Sequence, residues 1–128
     1  MDKNEIEFFA HEIVGAALEV HKQMGPGLLE SVYVECMRKE LDLRNISAQR
    51  QVQLPLLYKG IRLNKEFYID LLIEELIIIE VKACECILPV HEAQLLSYLK
   101  LADINLGFLI NFNVPLLKNG IKRMVNNY

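Results

Sequence analysis

Apolar side chains recur at Ile6, Phe9, Ile13, Ala16, Ala17 and Val20, a spacing that lines one face of a helix from about Glu5 to Gln23. The Gly25-Pro26-Gly27 triplet ends it, since proline lacks an amide donor and glycine accepts dihedrals that other residues avoid. A second helix is predicted from about Leu28 to Leu43, with an apolar face of Leu29, Val32, Tyr33, Cys36, Met37 and Leu41. The period then shortens. Val52, Leu54 and Leu56 alternate within Gln49–Tyr58, as in a strand, and Pro55 suits a sheet edge. After a turn at Lys59-Gly60, residues 61–63 and 67–73 read as one strand interrupted near Asn64-Lys65. The unbroken apolar run from Leu76 to Lys82 reads as a strand covered on both faces, with Glu74-Glu75 as the preceding turn.

Pro89 opens a third helix, from about Val90 to Ala102, and Phe108–Phe112 forms a last strand. Pro115 and Gly120 break the chain before a short tail. The order α-α-β-β-β-α-β contains a βαβ unit, so the third and last strands should be parallel and right-handed in connection. The expected fold is α/β, a mixed sheet flanked by helices.

At 128 residues, 52% hydrophobic and 24% charged, the chain has the composition of a globular protein and fits a single domain spanning residues 1–128. Its apolar runs are too short to span a bilayer, and no secretory signal is visible at the N-terminus. Three cysteines without framework spacing argue for reduced thiols and a cytoplasmic location. A net charge of −3 counts against a broad basic nucleic-acid-binding surface, although carboxylates that hold metal ions also lower the charge of a metal-free chain.

The chemistry concentrates where charges interrupt apolar strands. Asp70 does so in the second strand, Glu80 and Lys82 in the third. Such charges are costly unless paired or bound to metal. Glu80 and Lys82 share a face, being two apart. Asp70 joins them if the intervening turn centres on residue 75, which requires a three- or five-residue loop or a bulge; a two-residue turn would put it on the other face. Two converging carboxylates suit Mg²⁺ or Mn²⁺, and Lys82 could orient water or stabilise a phosphoryl transition state. An internal ion-pair network among Asp70, Glu80 and Lys82 is the alternative.

His91, Gln94 and Tyr98 share a face of the third helix, where Gln94 and Tyr98 could contact water or phosphate; on spacing alone a polar helix border with Tyr98 in the core is the better reading. Glu30 and Tyr33 are neighbours on the second helix, and the helix dipole alone accounts for Glu30. Cys36, Cys84 and Cys86 match no standard zinc or iron–sulfur spacing. Lys118, Lys122 and Arg123 could touch a phosphate backbone or simply form a solvated tail.

The segment GPGLLESVY, with Gly27, Glu30 and Tyr33, resembles the signature of the bacterial GxxExxY proteins, and FYIDLLIEELIIIEVKA, PVHEAQLLSYLKL and LGFLINFNVPLLKNGIKR are similar to the rest of that family in order, over about residues 5–124. The resemblance implies the PD-(D/E)XK (restriction-endonuclease-like) fold, an αβββαβ core, here with an extra N-terminal helix. It implies that Asp70 and Glu80 are the acidic metal ligands, that Lys82 is the motif lysine, and that Glu30 is the acidic residue of the preceding helix, a catalytic residue and a further metal ligand. Gln94 and Tyr98 resemble the Q-x-x-x-Y element of the RecB-like branch. Ile69 stands where the motif has proline, and the cluster-binding cysteines of some relatives are absent. The expected activity is divalent-metal-dependent phosphodiester hydrolysis of nucleic acid, DNA favoured over RNA. A non-cleaving nucleic-acid-binding or regulatory module, and a structural protein held by internal ion pairs, are the competing readings. The small size leaves room for a homodimer or a protein partner.

Overall fold

The computed structural model describes residues 2–128. Among these residues α1 (Lys3–Met24), α2 (Glu30–Leu43), β1 (Ala48–Tyr58), β2 (Ile61–Ile73), β3 (Ile77–Lys82), α3 (Pro89–Ala102), β4 (Leu106–Asn111) and β5 (Ile121–Val125) follow in order, with a 3₁₀ turn at Leu117–Gly120. The five strands lie side by side as β1-β2-β3-β4-β5. Only β3 and β4, joined through α3, are parallel. This is the mixed α/β sheet that the sequence implies, with Pro55 on an edge strand as expected.

The sheet is covered on both faces. On one face α1 and α2 bury Ile13, Ala17, Tyr33 and Met37 against Leu71, Ile77, Ile79 and Phe108. On the other, Leu95 and Leu99 of α3 pack on Leu72, Ile78 and Leu109. β3 has both faces buried, which explains its unbroken Ile/Val composition.

Two expectations are corrected. Residues 61–73 form one continuous strand, not two pieces around Asn64-Lys65. The polar stretch is exposed, and pairing with β1 rather than burial holds it. The C-terminal segment is not a free tail: Ile121–Val125 pairs antiparallel with β4 and adds a fifth strand. Arg123 bonds to Glu7 of α1 and Lys122 lies 3.6 Å from Glu92, so two of the three basic residues read from the sequence as a cluster are engaged in separate intramolecular pairs.

The alternation of β1 and β2 also changes phase. Gln51 stands between the pairs Arg50–Leu71 and Val52–Ile69 with φ 53°. Ala48 packs on the α1–α2 side of this point, whereas Val52, Leu54, Phe67 and Ile69 pack on the α3 side. The distal part of the hairpin thereby folds over α3, and Asp70 sits at the switch.

Candidate active site

The connection between β2 and β3 decides the register. The Leu76 amide donates to Ile73 O (2.8 Å), and Glu74 and Glu75 both take left-handed backbone, as in a tight hairpin turn. Leu76 is then an extra residue, so Ile73 pairs with Ile77 across a three-residue connection. The following pairs are Leu72–Ile78 and Leu71–Ile79, which brings Asp70 opposite Glu80. The sequence left this open between loop lengths; the extra residue resolves it.

Beyond Leu71–Ile79 the backbone ladder stops and the two carboxylates replace it. The Asp70 amide donates to Glu80 Oε2 (2.8 Å), and the Val81 amide donates to Asp70 Oδ2 (2.8 Å). Among the described residues the other two oxygens, Asp70 Oδ1 and Glu80 Oε1, accept no hydrogen bond. Glu80 is only 4% exposed, and Asp70 is half-buried. Burial, and then the Asp70 charge beside it, push the Glu80 carboxyl up to about 8, against the opposing pull of the Asp70 amide and Lys82. Asp70 is raised as well, again chiefly by burial.

Lys82, the last residue of β3, is half-buried on the same side of the strand as Glu80. It lowers both carboxyls by its charge, yet forms no ion pair with either within 4.0 Å. The internal ion-pair network read as an alternative from the sequence is therefore not formed.

Glu30 is the first residue of α2 and is exposed. Its Oε2 accepts from the Ala83 amide (3.3 Å), immediately after Lys82, and its charge adds to the upward push on Asp70 and Glu80. Among the described residues no cluster of three or more acidic, histidine or cysteine side chains is drawn together tightly enough to form a ready-made metal site. Glu30 thus stands at the rim of an Asp70–Glu80 pair. That pair, with two free oxygens and no cationic partner, has the hard donor chemistry that Mg²⁺ or Mn²⁺ takes.

Tyr33 explains the neighbouring glycines. Its hydroxyl donates to Gly25 O (2.6 Å) and accepts from the Leu28 amide (3.1 Å), while its fully buried ring stacks on Phe112 at 4.5 Å. The loop it clamps needs positive φ at Gly25 (68°) and Gly27 (97°), where a side chain would be strained. Gly27, Glu30 and Tyr33 thus form one local device: the glycines let the chain turn, the tyrosine fixes the turn, and α2 begins with Glu30 facing Ala83.

On α3, Tyr98 is buried beneath the hairpin, with its ring 5.2 Å from Phe67. Burial raises its hydroxyl, and the Glu80 and Asp70 charges raise it further, so the phenol lies within their field. Tyr98 is thus the core residue that one of its sequence readings expects, and it lies within the field of the carboxylates. Gln94 is exposed one turn earlier. His91 has a capping role, its Nδ1 accepting from the Leu88 amide (3.0 Å) at the start of α3. His21 Nε2 donates to Val114 O (2.8 Å), and the three cysteines are free.

Asn111 was not singled out from the sequence. It is 1% exposed, stands opposite Lys82 on β4, and bonds both the amide (3.1 Å) and the carbonyl (2.9 Å) of Cys84. It thereby pins the segment that follows Lys82. The signal was available, since Asn111 interrupts an apolar strand as Asp70 and Glu80 do.

No curated protein and no solved structure matches the chain. The family model of the PD-(D/E)XK nuclease superfamily matches residues 7–124, which include every residue of the opened β2–β3 junction. On that match over nearly its whole length, the chain belongs to the PD-(D/E)XK nuclease superfamily.

Proposed function

We propose that the protein is a divalent-metal-dependent nuclease that hydrolyses phosphodiester bonds in nucleic acid, with DNA favoured over RNA. The observation that carries this reading is the opened end of β2 and β3, where Asp70 and Glu80 converge with one free oxygen each and Lys82 stands beside them unpaired. Asp70 and Glu80 would hold the cation, and Glu30 would join from the rim directly or through water. When bound, Mg²⁺ or Mn²⁺ lowers the pKa of water and neutralises charge growing on the phosphate. Lys82 supplies a fixed positive charge to the phosphate oxygens or orients the attacking water. Gln94 and Tyr98 orient water or phosphate from α3. The Gly27, Glu30 and Tyr33 device supports placing the chain with the GxxExxY proteins, and the three free cysteines favour a cytoplasmic setting.

The test is calorimetric titration of Mg²⁺ and Mn²⁺ into wild type and Asp70→Ala, with the same samples assayed on single- and double-stranded DNA and RNA. Ion binding that disappears in the variant, together with metal-dependent cleavage, is the expected result. An absence of ion binding by wild type even with nucleic acid present would overturn the catalytic reading and leave the non-cleaving module.

A further inference from the structure

Between the distal hairpin and α3 runs a groove of about 510 Å³, floored by Leu56, Phe67, Tyr98 and Leu101 and edged by Ser97. Its lining is mostly apolar and includes two aromatic rings, with Gln94 and Lys100 at the rim. Gln94 and Tyr98, the two α3 residues that the proposed function gives to the site, both line this groove, so a molecule lying in it meets the α3 side of the site. The groove is a product of the phase change at Gln51, which turns Phe67 and Leu54 toward α3.

Lys100 lines the groove, and the tip of the distal hairpin whose strands supply Leu56 and Phe67 is basic, although the chain as a whole is acidic. Lys59, Arg62 and Lys65 lie on the distal hairpin against the single acid Glu66, which sits 3.6 Å from Arg62. Lys65 and Lys100 form no ion pair among the described residues. Aromatic and apolar walls with a few polar groups and basic flanks match the two halves of a nucleotide, a flat base and an anionic backbone. A base inside a duplex is stacked and paired, and enters such a slot only at the cost of being extruded, a cost that an unpaired base avoids.

We propose that this groove receives an unpaired nucleobase next to the scissile phosphate, so that the substrate is single-stranded nucleic acid or a single-stranded segment. The proposal rests on the nuclease reading for the words "scissile phosphate"; base binding itself does not depend on it. Ser97 and Gln94 meet the base edge, and Lys100 with the hairpin lysines meets the flanking phosphates.

The experiment is fluorescence anisotropy in metal-free buffer with labelled oligothymidine, oligouridine, a duplex of equal length, and an abasic chain of equal length and charge. Wild type is expected to bind at least one base-bearing single strand about tenfold or more tighter than the abasic chain and the duplex. Ser97→Trp, which fills the groove from an exposed helix position, is expected to erase that preference. Equal affinity of wild type for base-bearing and abasic chains, no binding to either, or a folded Ser97→Trp protein that keeps the preference overturns the proposal. The thymidine and uridine arms separate DNA from RNA, and base dependence in either supports the groove. Cleavage with Mg²⁺ is scored separately. Intact base preference without cleavage sinks the nuclease reading alone, and cleavage without base preference sinks the groove alone.

Discussion

The two ends of the β2–β3 pair behave differently although they belong to the same two strands. At the closed end, Ile73–Ile77, Leu72–Ile78 and Leu71–Ile79 form a regular antiparallel ladder with apolar side chains on both faces. One residue further on, Asp70 and Glu80 meet, and the main-chain bonds give way to amide-to-carboxylate bonds. The apolar end fixes the register by burial, and the polar end uses that register to bring two acids together. The difference teaches that the site is stabilised from outside itself. Close-packed isoleucines hold in place a pair of carboxylates that repel each other and resist burial.

Replacing a residue at the open end should have the largest effect, and on activity. Lys82→Ala is expected to lower the rate of metal-dependent cleavage by about a hundredfold or more while leaving the denaturation midpoint nearly unchanged, because Lys82 has no ion pair to lose. Single-turnover kinetics with parallel urea melts check this. A large loss of stability with normal turnover would make Lys82 a structural residue.

Damage at the closed end should reverse that pattern. Ile79→Ala removes a fully buried side chain and is expected to cost about 2–5 kcal/mol of stability in urea titration. Activity should fall only as the folded fraction falls.

The electrostatic half of the comparison is tested by pH. With a carboxyl pushed up to about 8, the folded protein retains a proton on Glu80 that the unfolded chain, near 4.5, releases. Between those values the native state binds more protons, so the stability of the metal-free protein falls as pH rises through the window and levels off above it. Thermal melts should show this slope, and Glu80→Gln should flatten it. Asp70→Asn is expected to raise the melting temperature of the metal-free protein by removing the charge that faces Glu80, whereas a purely structural Asp70 would make the same change destabilising. Cation binding near neutral pH should also release protons, detectable by calorimetry in buffers of different ionisation enthalpy.

The smallest effect belongs to the turn that sets the register. Glu74 and Glu75 both carry positive φ, which glycine accepts at lower cost. Glu75→Gly is expected to stabilise the protein by up to about 1 kcal/mol in urea titration, with cleavage unaltered. A loss of activity would mean that the side chain of Glu75 acts beyond the turn.

Much of the frame was legible in the sequence because it depends on local periodicity. The face of α1, the stop at Gly25, the buried run of β3 and the parallel β3–β4 pair all follow from residue spacing and chain connectivity. β5 was not legible: Ile121–Val125 is short, carries two charges and follows Pro115 and Gly120. Pairing with β4 and the contact of Arg123 with Glu7 make it a strand. Asn64-Lys65 looked like a break for the related reason that an exposed strand shows no burial pattern.

For the site, the sequence by itself determined the chemistry: which acids and which lysine interrupt the apolar strands, and that Glu80 and Lys82 share a face. Only the tertiary structure decided the convergence. One extra residue at Leu76 sets Asp70 opposite Glu80 rather than one step away. Tyr33, bonding the loop that precedes α2, and Asn111, bonding Cys84 across the sheet, fix the segments that hold Glu30 and follow Lys82. The physical reason is that spacing encodes which face a residue occupies, whereas distance between two strands depends on turn geometry and on hydrogen bonds between residues far apart in sequence.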